Sequence, residues 1–263
     1  MVDQMEKKIL VGTSGYSFDD WVGTFYERGI RKGDMLSFYV NHFPTVEVNS
    51  TYYRIPHPAV LHQMEKKTPP GFEFIIKANK SMTHGLDAGK DTYSQFMEIL
   101  EPIKEAGKFS GVLAQFPWGF KNTPSARDHL KSLRENLPEM PLFAEFRHVG
   151  WIKEEVFALL EKLDIGYCCV DEPRLRGLVP PVAKATTDVA YVRLHGRNAK
   201  NWWGRGGGDR YDYLYSKEEL KEWVEKIRDL AVKAKKTYVF FNNCHAGQAA
   251  GNAKLMQELL KMG

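Results

Sequence analysis

The stretches Thr45-Val46-Glu47-Val48-Asn49 and Tyr191-Val192-Arg193-Leu194-His195 alternate apolar and polar side chains one for one. Successive side chains of a β-strand face opposite ways. Val46, Val48, Val192 and Leu194 therefore share faces that need an apolar cover. Glu47, Asn49, Arg193 and His195 point the other way. Strands of an α/β barrel have two such faces, an outer one against helices and an inner one that reaches a wet mouth at the strand C-termini.

Outward from these two stretches, short β-branched and aromatic runs recur at 9–13, 73–77, 112–116, 142–147, 167–171 and 238–242. Amphipathic helical periodicity falls between most of them, at 34–42, 58–66, 92–106, 125–136, 153–162 and 216–233, with a last helix at 247–261. Pro58 suits a first helical turn, and Ser216 with Glu219 reads as a capping box. Eight strands alternating with helices predict an α/β fold, a single (β/α)8 TIM-type barrel over residues 1–263, with an open doubly wound sheet as the competitor. The sixth crossover is expected to be irregular, because 173–187 is proline-rich and lacks helical periodicity.

The 263 residues are close to the ~250 of one such barrel. Hydrophobic residues make up 43% and charged residues 27%, the composition of a globular chain with a sizeable core. The formal charge of +4 is too small to imply nucleic acid or an anionic membrane. No apolar run approaches the ~20 residues of a spanning helix, and the polar start lacks the apolar centre of a signal peptide. Cys168, Cys169 and Cys244 form no CxxC motif, so neither a disulfide framework nor a zinc knuckle is expected. These features point to the cytoplasm and to no membrane.

The same alternation places other polar residues. Phe74 and Ile76 facing out turn Lys77 in; Ala144 and Phe146 facing out leave Glu145 and Arg147 inside. Cys168 and Val170 taken as outward leave Asp171 inside, and Val239 with Phe241 outward leave Asn242 inside. Gln115 is ambiguous, since both faces of its strand look apolar. These residues lie near strand C-termini, where barrel enzymes place their chemistry. Charges gathered in an interior must be paired or solvated, so the set reads as a pocket or as an ion-pair network closing the barrel. The pocket is favoured, because apolar packing closes a barrel at lower desolvation cost.

The spaced set Gly12-Thr13-Ser14-Gly15-Tyr16, Val46-Glu47-Val48-Asn49-Ser50-Thr51-Tyr52-Tyr53, Lys77, Thr83-His84, Gln115-Phe116-Pro117, Glu145-Phe146-Arg147-His148 with Trp151, Asp171, Arg193-Leu194-His195-Gly196-Arg197 and Phe241-Asn242-Asn243 resembles the YecE-like family, domain of unknown function 72. With Trp21, Phe25-Tyr26 and Asn252-Ala253, which belong to the same set, the resemblance runs from the first strand to the last helix. It implies a TIM-type barrel and no settled activity. It also brings a structural analogy to metal-dependent phosphodiester-cleaving barrels of the endonuclease IV kind, an analogy of fold and not of chemistry.

The leading expectation is an enzyme (a hydrolase, lyase or isomerase) acting on an anionic, phosphate- or carboxylate-bearing small molecule or nucleotide. Glu145, His195, Asp171, Glu47 and His84 are its candidate acid–base groups. Lys77, Arg147, Arg193 and Arg197 suit an anion, with Asn49, Gln115, Asn242 and Asn243 as polar contacts. The loops after strands seven and eight, 195–198 and 242–247, are frequent phosphate sites in barrels. Trp202 and Trp203, in the glycine-rich stretch 201–211, read as a lid or a stacking surface. Two alternatives stand beside this reading: a metal-dependent phosphodiesterase acting on nucleic acid, and a non-catalytic ligand-binding barrel. A divalent metal fits the carboxylates, yet no dense ligand motif is present and the inward cations compete for them, so no metal site is assigned. No cofactor fingerprint is present either.

Overall fold

The computed structural model describes residues 8–204 and 209–262. Its strands β1 (Lys8–Ser14), β2 (Thr45–Val48), β3 (Glu73–Lys77), β4 (Phe109–Gln115), β5 (Leu142–Glu145), β6 (Ile165–Asp171), β7 (Val189–Leu194) and β8 (Lys236–Phe241) form a closed barrel in chain order. All neighbours are parallel, and β1 closes on β8 from Lys8 opposite Lys236 to Thr13 opposite Phe241. That pairing excludes the open sheet, which would leave two free edges.

The helices are α1 (Met35–Tyr39), α2 (Ser50–Tyr53), α3 (Pro58–Lys66), α4 (Lys90–Glu105), α5 (Pro124–Asn136), α6 (Glu154–Lys162), α7 (Lys217–Lys233) and α8 (Gln248–Lys261). Pro58 occupies the first turn of α3, where a missing N–H costs nothing, and His57 caps the helix through Nδ1. Ser216 and Glu219 form the expected capping box on α7. Between β6 and β7 there is no helix. Instead the loop serves β6 directly: Thr186 Oγ1 accepts from Tyr167 N and donates to Ile165 O, both at 2.7 Å. Among the described residues no helix is long and apolar enough to cross a membrane.

The barrel interior is layered. At the N-terminal end Glu73 accepts from Lys8 at 3.1 Å, Lys236 at 2.9 Å and Ser110 at 3.0 Å. A middle layer is apolar and holds Leu10, Ile75, Leu113, Phe143, Cys168, Val170, Tyr191 and Phe240. Above it, at the strand C-termini, the polar residues converge. The outer faces, including Val46, Val48, Phe74, Ile76, Val192 and Leu194, join the larger core with the helices.

One strand reverses the sequence expectation. Cys168 and Val170 belong to the inner layer and Cys169 to the outer core, so β6 faces the opposite way from its expected orientation. Asp171 therefore points toward α7, where Trp223 Nε1 donates to it at 2.9 Å and Tyr215 Oη at 2.7 Å. The physical reason is that a helix-facing carboxylate is tolerated when the helix and the loop before it supply donors, here Trp223 and Tyr215.

Candidate active site

Each polar side chain of the mouth is set by its place in a strand. Arg193, fully buried at the C-terminal end of β7, donates through Nη2 to Glu47 Oε1 of β2 at 2.6 Å. Through Nη1 it reaches Glu145 Oε2 of β5 at 2.5 Å. Arg147, two residues beyond Glu145, returns across the same face and donates from Nε to Glu145 Oε1 at 2.5 Å. Tyr191 Oη, one step down β7, donates to Glu47 Oε2 at 2.7 Å. Two arginines thus alternate with two carboxylates across the barrel, and both oxygens of each carboxylate accept from a donor.

Burial pushes the Glu145 carboxyl up, but Arg147 and Arg193 outweigh it and hold the group well below its usual range. The two guanidinium groups thus favour the charged form of Glu145. His195 follows β7 and is fully buried. Its Nε2 lies 3.2 Å from Glu145 Oε1 without hydrogen-bond alignment, and its Nδ1 meets Asn242 Nδ2 at 3.0 Å. Burial and the Arg147 charge lower it to about 3, so the imidazole is neutral.

Above this tier opens a cavity of two adjoining lobes, about 260 and 360 Å³. Lys77, Arg147, Gln115, Tyr52, Tyr53 and Tyr211 line both lobes. His84, Trp202, Trp203, Trp118 and Arg210 complete the outer lobe, while Asn49, Ser14, Arg193 and Asn242 reach the inner one. Among the described lining residues there are four lysine and arginine side chains, Lys77, Arg147, Arg193 and Arg210, one histidine, His84, and no carboxylate. Asn49 Oδ1 and Arg210 Nε are buried without a partner among protein atoms. Buried polar atoms of that kind mark places where a ligand or solvent completes the bonding.

Lys77 Nζ meets Gln115 Oε1 at 3.0 Å and lies 4.5 Å from the Tyr52 ring centre. Gln115 is held in that orientation because its Nε2 donates to Phe116 O at 2.8 Å. Burial and the nearby Arg193 charge pull Lys77 down to about 8, against the partial opposition of Glu47 and Glu145. His84 contacts Thr83 Oγ1 through Nδ1 at 3.0 Å and packs edge-on to Tyr52. Burial, with the Lys77 charge, lowers His84 to about 4.

The structure thus brings Lys77, His84, Gln115, Arg147, Arg193, Asn49, Asn242, Trp202 and Trp203 to the cavity and sets Glu47, Glu145 and His195 directly beneath it. Three expected residues lie elsewhere. Asp171 faces α7, and Arg197 follows it there, donating to Asp171 Oδ2 at 2.8 Å and to Glu222 Oε2 at 2.8 Å. Asn243 does not line the cavity; its Nδ2 donates to Tyr213 O and Asn252 Oδ1, while its Oδ1 is buried without a partner. In the loop after β8, Ala246 N donates to Asp20 Oδ2 at 2.7 Å, so a carboxylate of the chain already takes an N–H expected for a ligand anion. Of the stretch 201–211 expected as a lid, residues 205–208 lie outside the described residues.

Residues not anticipated also contribute. Glu172 sits inside because β6 is reversed; it accepts from Arg147 Nη1 at 3.1 Å and from Val179 N at 2.9 Å. Burial raises it to about 7, with Arg147 pulling the other way. The alternation of Cys168 and Val170 points to Glu172 once their inward orientation is known. Arg210 and Trp118 carry no periodic signal, since both come from loops. Among the described residues no group of three or more His, Cys, Asp or Glu side chains is arranged to hold a metal ion. Glu145, the central carboxylate, gives both oxygens to guanidinium groups, which compete with a divalent cation for them.

Comparison with known proteins agrees with this architecture. Residues 10–263 match the family described as "Protein of unknown function DUF72". The UPF0759 protein YunF of Bacillus subtilis is 30% identical, covering 96% of this chain and 94% of its own. A DUF72 family crystal structure from Thermotoga maritima is 41% identical with a TM-score of 0.90, covering 97% of this chain and 99% of that one. One from Enterococcus faecalis is 26% identical with a TM-score of 0.87, covering 97% and 96%. With a family match over nearly the whole sequence and a barrel that superposes on solved members, the chain belongs to the DUF72 family.

Proposed function

We propose that the barrel mouth binds an anionic small molecule, phosphate- or carboxylate-bearing, whose remaining part is a planar or sugar ring, and that the protein is an enzyme acting on it. The observation that carries this reading is the separation of charge: cations line the cavity, and the carboxylates that balance them lie one layer below. The field at the mouth is thereby positive although the network as a whole is nearly neutral. Guanidinium groups suit bidentate recognition of carboxylate or phosphate. The lobe volumes fit a small molecule. Tyr52, Tyr53, Trp118, Trp202, Trp203 and Tyr211 supply flat walls for a ring.

The acid–base role passes in this reading from Glu145 and His195, which are locked, to groups that face the cavity. Lys77 and His84 are neutral in part or in full near physiological pH and reach the space a ligand would fill. Thermal melts with ribose 5-phosphate and adenosine monophosphate, each against its uncharged counterpart, test the reading. The melting temperature is expected to rise only with the charged member of each pair, by mass action on the folded state. Equal melts for all four compounds would remove the anion site.

A further inference from the structure

We infer that Lys77 is the covalent anchor of this site, its side-chain amine condensing with an aldehyde or ketone carbonyl of a phosphorylated or carboxylated ligand. The inference rests on the anion-binding reading and goes beyond it by naming the reactive group and the ligand's functional group.

The argument begins with what the lysine meets. The neighbouring cations Arg147 and Arg193 are each bound to carboxylates at 2.5–2.6 Å. Elsewhere, buried Lys108 is paired with Glu65 at 3.0 Å, and Lys236 with Glu73 at 2.9 Å. Lys77 instead meets a neutral amide oxygen and an aromatic face. A lysine kept only for its charge in such an interior is expected to face a carboxylate, as those two do. An amide acceptor orients the amine while leaving its ionisation free to change.

Position adds to the argument. Lys77 ends β3 and borders both lobes of the cavity, so its Nζ reaches the space where the two meet. Arg147 borders the same two lobes, and Arg210 the outer one, as permanent cations for the ligand's anionic end. Burial and the like charge of Arg193 lower the amine to about 8, which leaves a useful neutral fraction near pH 7.5. Lysines desolvated beside another cation are activated as nucleophiles in this way.

The step balances without a further reagent. The ammonium gives a proton to water in the cavity, and the free amine adds to the carbonyl carbon to form a carbinolamine. The carbinolamine hydroxyl leaves as water after taking that proton back, and a protonated imine remains. An ammonium and a carbonyl thus become an iminium and one water, with no oxidant or reductant.

The experiment uses the full chain with glyceraldehyde 3-phosphate as the probe and sodium borohydride to reduce any imine to a stable amine. Peptide mass spectrometry then locates the adduct. The expected result is one adduct on Lys77, suppressed by excess glycerol 3-phosphate, which keeps the anion but lacks the carbonyl. Lys77→Arg, which keeps the charge, loses labelling at that position, and its melting curve reports whether the fold is intact. The wild-type peptide map stands even if the variant does not fold. Adduct spread over exposed lysines with Lys77 unmodified overturns the inference. If glycerol 3-phosphate still raises the melting temperature in that case, the anion site survives and only the covalent step fails. If it does not, both fall.

Discussion

Arg193 Nη1 donates to Glu145 Oε2 at 2.5 Å with both side chains buried. This pair ties β7 to β5 across the barrel interior, and everything above it depends on its geometry. Removing one partner of a buried pair leaves the other charge uncompensated. Glu145→Ala is therefore expected to lower stability by about 3–5 kcal/mol, read from denaturant midpoints. A loss too small to resolve would mean that the network is not needed to close the barrel.

Glu172 supplies a pH signature. Its carboxyl rises from the ordinary 4.5 to about 7 on folding, so between those values the folded state holds more protons than the unfolded one. This group's contribution therefore falls as pH rises from about 4.5 to about 7. Glu172→Gln removes the titration but keeps one acceptor oxygen where Glu172 offers two, one to Arg147 and one to Val179 N, so it should flatten that slope. Unfolding curves at several pH values read it, and parallel profiles for the two proteins would contradict the assignment.

His195 acts with the opposite sign. Its pKa falls from 6.5 to about 3, so the unfolded state takes up protons first. The stabilisation is whole above pH 6.5 and is lost as pH falls toward 3. In carbon-detected NMR spectra of the histidine rings, the His195 shifts should stay flat from pH 5 to 8. A midpoint near 6.5 at this ring would return it to the list of acid–base groups.

Asp171 tests the division between scaffold and site. It holds Trp223, Tyr215 and Arg197 on the α7 side of the sheet. Asp171→Ala should cost roughly 3 kcal/mol or more, since several buried donors lose their acceptor, while the affinity for a phosphate ligand stays unchanged. A large affinity loss in a folded variant would place Asp171 back in the binding machinery.

The contrast between Asp171 and Glu145 also shows what was legible beforehand. In β2 and β7 the outward positions hold unambiguous apolar residues, so alternation alone turns Glu47, Arg193 and His195 inward; β5 is less clean, and Glu145 follows there by extension of the same rule. In β6 both registers were apolar apart from Asp171 itself: Cys168 and Val170 on one face, Tyr167 and Cys169 on the other. Polarity was then the tie-breaker, and it failed because the partners of Asp171 come from α7 and the preceding loop, far away in sequence. Glu172 was lost by the same one-residue shift. The closed barrel was readable from the strand count, whereas Arg210 and Trp118 reach the cavity along loop paths that no periodicity encodes.

Arg210 offers a probe that spares the network. It lines the outer lobe, near Trp202 and Tyr211, with its Nε unpartnered. Arg210→Met should leave the melting temperature of the free protein near wild type and weaken anion binding about tenfold or more, the scale of one charge-assisted hydrogen bond. Titration calorimetry with the ligand found by thermal melts would measure it. Unchanged affinity would exclude this arginine from the anion site.

Crystals soaked in tungstate, a phosphate-shaped anion with strong anomalous scattering, test the central claim most directly. The account predicts the dominant anomalous peak inside the cavity, within hydrogen-bonding reach of Arg147 and of Lys77 or Arg210. A cavity without a peak, with tungstate held only at lattice contacts or on the outer surface, would contradict it.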